Sequence, residues 1–232
     1  MSEASPRLVA ALAALTFVTG LVDAASVLGL GHVFVANMTG NMVFVGFSLF
    51  AKRGVSLLAG ALALCGFLGG AVIGGRSVRR AGSTPWPALV MDVVLLLIAG
   101  LLSAFRLQSE PYLSVFLLAA AMGIRTAVVR HLAIPDMTTT VLTLTLAGIA
   151  ADSSLAGGKN PRLGRRLLSV LCMLLGAAAG AFLLSRVPAF IILVAGILEG
   201  GAVLWFYAGR AGAASLAGVN KPVETQGVGA PR

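Results

Sequence analysis

Eight apolar segments fill most of this 232-residue chain, at about residues 8–30, 33–51, 56–75, 87–105, 111–129, 136–151, 167–185 and 188–208. Runs of this length suit a bilayer, where a helix of about 20 residues crosses while satisfying its own backbone hydrogen bonds. Only 11% of residues are charged and the mean hydropathy is +0.98. A soluble domain carries about 25% charged residues. The expected fold class is therefore all-α: a polytopic integral membrane helical bundle, one membrane domain over residues 8–208. Residues 1–7 read as a polar leader, and residues 209–232, rich in Gly, Ala and Pro, as a disordered tail. The first apolar run exceeds the roughly 7–15 residues of a signal-peptide core and contains Asp23, so it reads as a retained membrane segment.

The second and sixth segments are short and polar. Residues 35–48 read V-A-N-M-T-G-N-M-V-F-V-G-F-S, and residues 135–145 read P-D-M-T-T-T-V-L-T-L-T. Asn37-Met38-Thr39 answers to Asp136-Met137-Thr138. Asn37 and Asp136 are good helix N-caps; Pro135 and the pair Gly29 and Gly31 discourage a helix from running into them. Helix starts are predicted near both. Beyond them, Asn37, Asn41 and Ser48 keep helical spacing, as do Asp136, Thr139, Thr140 and Thr143. Two such stripes could face each other and line a polar path. The plainer alternative is that they hydrogen-bond to backbone and hold helices together.

Other features recur in the same order. Leu64-Cys65 followed by Leu68-Gly69 matches Leu171-Cys172 followed by Leu175-Gly176; Pro87-Ala88 with Gly100 matches Pro188-Ala189 with Gly201; Gly20 and Asp23 match Gly123 and Thr126. This predicts an internal duplication, about 8–105 and 111–208. Lys and Arg should collect on the cytoplasmic side. If all eight segments cross with the N-terminus inside, 11 of the 17 lie inside; if the second and sixth do not complete a crossing, 13 lie inside and 4 outside. The second arrangement is favoured: six crossings, two short polar elements, inverted halves and both termini cytoplasmic. A parallel four-plus-four arrangement stays open.

Four ionisable residues lie within apolar segments: Asp23, Asp92, Arg125 and Glu199. Such groups are costly in hydrocarbon and end up paired, neutral or solvated. Arg125 is expected to partner Asp23, Asp136 or Glu199. Asp92, near a segment end, is expected to reach the interface, as are His32 and His131. The pairs Gly70/Gly74 and Gly176/Gly180 allow close helix packing, within a chain or between copies in a homo-oligomer.

Several classes are excluded. The net charge of +9 would suggest nucleic acid in a soluble protein, but these cations sit in short loops without interleaved aromatics. No phosphate-binding glycine loop, G-x-S-x-G or H-E-x-x-H occurs. Two His without ligand-spaced partners make no metal site, and Cys65 and Cys172 read as small core residues. No cofactor and no enzyme activity is expected.

The run G-L-V-D-A from Gly20, followed by L-G-H-V-F-V-A-N-M-T-G-N ending at Asn41, resembles the YoaK family of bacterial inner-membrane proteins of unknown function. A-M-G-I-R-T-A at 121–127 and P-D-M-T-T-T at 135–140 fit as well. Relatives commonly have Gln-Asn where this chain has Arg125-Thr126. The resemblance implies a bacterial plasma-membrane protein of about six spans and supplies no substrate.

The function expected from the residues is a small secondary transporter or channel for a small polar solute. Asn37, Thr39, Asn41, Asp136, Thr139 and Thr140 would line its site, and Asp23, Arg125 and Glu199 would couple protons or form a charge pair. Helix N-termini favour an anionic solute and the acids a cation, so its sign is open. The alternative is a non-transporting partner or sensor protein whose polar motifs only pack helices.

Overall fold

A computed structural model of the chain describes residues 5–50, 56–81, 86–105, 111–133 and 142–219, with side chains to residue 209. The described residues form helices and no strand: α1 (Pro6–Gly29), α2 (Met38–Ser48), α3 (Leu57–Ala81), α4 (Trp86–Ala104), α5 (Tyr112–Leu132), α6 (Leu142–Ala151), α7 (Leu163–Arg186) and α8 (Ile191–Val219). Six of them are long and apolar enough to cross a membrane. The exceptions are α2, with 11 residues, and α6, with 10 described. At 1.5 Å per residue each covers about 16 Å, half of a hydrocarbon core about 30 Å thick. The chain is a multi-pass membrane protein.

The packing directions show which helices cross. Along α1 and α7, Phe17 meets Gly176 and Leu21 meets Gly180, so these helices run parallel. Gly66, Gly70 and Gly74 of α3 meet Phe116, Ala120 and Ile124 of α5, again parallel. Gly100 meets Leu193 while Gly200 meets Val93, so α4 and α8 run antiparallel. Eight crossings would make α4 and α8 parallel. Six crossings, with α2 and α6 returning to the side they left, reproduce all three directions.

The glycine pairs are used inside the chain. A methyl on Gly70 would collide with the Ala120 carbonyl, and one on Gly176 with that of Phe17. Lipid offers helices no hydrophobic drive to associate, so close backbone approach of this kind holds them. The pairs Gly70/Gly74 and Gly176/Gly180 therefore pack on α5 and α1 within the chain and not on each other. Helices α1 and α5 form the centre of the bundle and are mostly buried, whereas α7 is mostly uncovered and shows Leu171, Leu174, Leu175 and Phe182 outward.

Two further expectations change. Cys65 is exposed on α3 and is not a core residue, because Gly66 beside it takes the inward face. The expected tail begins as helix: α8 continues to Val219, through alanine-rich sequence that favours helix.

Candidate functional site

The first polar stretch is built around a turn at the end of α1. Gly31 and His32 have φ of 95° and 58°, in the left-handed region, and redirect the chain so that Val33, Val35 and Ala36 are buried. Non-helical backbone inside a membrane domain needs partners for its N–H and C=O groups. Two side chains supply them. Asp23 Oδ1 accepts from Val35 N at 3.1 Å and Ala36 N at 2.9 Å. Asn41 Oδ1 accepts from Phe34 N at 2.9 Å, and its Nδ2 donates to Phe34 O at 2.5 Å. The Phe34 ring lies over Gly40 and stacks on Phe44, 5.7 Å between centroids. Asn37 caps α2 as predicted, its Oδ1 accepting from Gly40 N at 3.3 Å.

This frame leaves one buried polar atom over. Among the described residues Asp23 Oδ2 has no hydrogen-bond partner, although the residue is buried, 4% exposed. Asp23 lines a cavity of about 250 Å³ between α1, α7, the start of α2 and the start of the described part of α6. Asn37 lines it from the first polar stretch and Thr143 from the second; Gly20, Phe34 and Met173 complete its apolar wall. The two stretches thus share one concavity.

A second polar centre lies fully buried in the bundle. Arg125 Nε donates to Asp92 Oδ2 at 3.0 Å, its Nη1 to Thr19 Oγ1 at 2.9 Å and Leu15 O at 3.3 Å, and its Nη2 to Glu199 Oε2. All three ionisable side chains have 0% exposure. Thr19 also donates to Leu15 O, which fixes its hydroxyl oxygen toward the guanidinium. Among the described residues, Asp92 Oδ1 and Glu199 Oε1 accept no hydrogen bond. One cation faces two carboxyl groups, so the cluster carries one negative charge unless one carboxyl holds a proton.

Of the predicted site residues, Asp23 and Asn37 come together at the cavity with Thr143. Asn41 is buried and bonded at both ends of its amide to Phe34. Thr39 is exposed on α2 and is not among the cavity's lining residues. Asp136, Thr139 and Thr140 lie outside the described residues. Of the partners weighed for Arg125, Glu199 pairs with it, while Asp23 bonds to the loop backbone. The expectation that Asp92 reaches the interface is corrected: Arg125 holds it in the interior. Asp92 and Thr19 were missed as members of this centre. One signal for Asp92 was available. It lies six residues into α4 and Arg125 seven residues before the end of α5, at similar depth on neighbouring helices that run opposite ways. His32 and His131 are exposed, as expected of interfacial residues.

The chain is similar to the UPF0700 transmembrane protein YoaK of Bacillus subtilis (strain 168), with 36% identity over 148 residues. The match covers 62% of this chain and 66% of that protein, just under two thirds of its length. No solved structure matches. A helical membrane domain built on these polar motifs, and a family pattern matching residues 11–205, lead to one statement: the chain belongs to the DUF1275 family of proteins of unknown function.

Proposed function

We propose that this protein is a small secondary transporter or channel for a small polar solute, bound in the cavity shared by Asp23, Asn37 and Thr143. The observation that carries the reading is a cavity of about 250 Å³ that both polar stretches reach and Asp23 lines, together with the buried Asp23 Oδ2, which has no hydrogen-bond partner among the described residues. A carboxylate oxygen there calls for an N–H or O–H donor, so the solute presents a donor or a positive charge at that point. The Asp92–Arg125–Glu199 cluster supplies the coupling element, taking up and releasing one proton as the bundle changes conformation. The reading is of a non-enzymatic protein in a bacterial plasma membrane, both termini cytoplasmic, the orientation that leaves 12 of the 16 Lys and Arg other than the buried Arg125 on that side.

An inverted duplication is part of the proposal. The contacts of Gly20 with Met173 and Ala177 are repeated by Gly123 with Phe67 and Ala71, and α1 with α7 repeats α5 with α3. Inverted repeats with broken elements at their junction are a common transporter plan.

The second reading is a membrane partner or sensor protein whose polar groups only hold its fold. It is favoured by Asn41, which spends its whole amide on Phe34, and by Asp23 Oδ1, which spends itself on Val35 and Ala36. A metabolite comparison between deletion and overexpressing cells selects solutes for flux assays in proteoliposomes. The transport reading expects at least one to cross faster than in empty vesicles, and Asp23→Asn to abolish this while the protein stays folded. If none crosses faster, the second reading stands.

A further inference from the structure

We propose that a groove between α3 and α5 binds an anionic phospholipid, its phosphate held by Arg79, Arg130 and His131. These residues line one end of a cavity of about 480 Å³, whose other wall includes Phe67, Ala71 and Ala127. Gly74 packs on Ile124 in the parallel pair, so Arg79 and Arg130, five and six residues further along, lie at one level. All three polar side chains belong to exposed residues, and among the described residues none makes a hydrogen bond or ion pair. Among the described residues, no acidic residue lines the groove.

The shape argues for a lipid over a free anion. From Phe67 to Arg79 the groove follows α3 through twelve residues, about 18 Å at 1.5 Å per residue. It is apolar toward the bundle's middle and basic at the end where α3 and α5 finish. An acyl chain beneath a phosphate headgroup has the same division, and basic pockets between membrane helices on the cytoplasmic side suit anionic headgroups.

The groove occupies the place on α3 and α5 that the Asp23 cavity occupies on α7 and α1. Gly123 meets Phe67 and Ala71 where Gly20 meets Met173 and Ala177. Three and seven residues beyond these glycines stand Thr126 and Arg130 in one case, Asp23 and Val27 in the other. The same architecture thus holds an acid in one cavity and cations in the other.

The test titrates the purified full chain in neutral detergent with phosphatidylglycerol or phosphatidylcholine and reads bound lipid by native mass spectrometry. Phosphatidylglycerol should be retained and phosphatidylcholine not. Arg79→Gln with Arg130→Gln should weaken retention roughly 25-fold, at about fivefold per arginine. Arg76→Gln with Arg80→Gln, exposed neighbours that do not line the groove, should change little. Ala71→Trp, which fills the apolar part, should also release the lipid. Equal retention of both lipids, or equal losses in the two arginine pairs, would overturn the proposal. So would inorganic phosphate binding that survives Ala71→Trp and displaces the lipid, which would mark a soluble-anion site.

Discussion

Asp23 has two separable duties, and two substitutions divide them. Asp23→Ala removes the side-chain acceptor of Val35 N and Ala36 N. Two buried donors left unpaired cost about 1–3 kcal/mol each, so the loss should be about 2–6 kcal/mol. Asp23→Asn keeps a carbonyl oxygen where Oδ1 stands. It exchanges charge-assisted bonds worth about 1.5–3 kcal/mol for neutral ones of about 0.5–1.5, a total loss of about 2 kcal/mol. The other end of the side chain changes more, because the buried Oδ2, without a partner among the described residues, becomes an amide donor. Denaturant titration in mild detergent, followed by tryptophan fluorescence, measures both. The expected order is wild type, then Asn, then Ala. An Ala variant as stable as wild type would refute the assignment of Asp23 as the loop's anchor.

Other consequences are equally direct. Arg125→Met should cost about 3–5 kcal/mol, since it strands two buried carboxyl groups, and adding Asp92→Asn with Glu199→Gln should recover part of that in the same titration. Gly70→Ala should destabilise by about 1–3 kcal/mol through its clash with the Ala120 carbonyl. Its neighbour Gly69, whose Cβ position is open, should accept alanine with a gain of up to about 1 kcal/mol. A cysteine replacing Gly54 should react with an impermeant thiol reagent from outside the cell and one replacing Gly157 only from inside; eight crossings would put both inside.

The six long spans were legible because hydrocarbon thickness sets the length of a crossing helix, whatever its neighbours. Asn37 was legible as a cap because capping is local, a matter of the next three residues. Asn41 was not: helical spacing set it on a stripe with Asn37, but its amide turns back seven residues to Phe34 across a loop. No helical periodicity describes that contact. Asp92 was misjudged because its depth was read against the end of its own helix rather than against Arg125 on the next. The glycine pairs were recognised as packing surfaces, yet their partners are α1 and α5, where the same spacing is carried by Gly20 and Ala24 and by Ala119, Gly123 and Ala127 and not by a glycine pair.

The central claim is that the two polar stretches, a hundred residues apart in the chain, wall one cavity at the Asp23 carboxylate. Its most direct test places cysteines at Asn37 and Thr143 in a chain with Cys65→Ser and Cys172→Ser, and treats membranes with a short bifunctional thiol reagent. The account predicts an intramolecular cross-link across the cavity, with each single-cysteine control taking up only one arm. Both cysteines reacting separately, with no cross-link in the double variant, would contradict it.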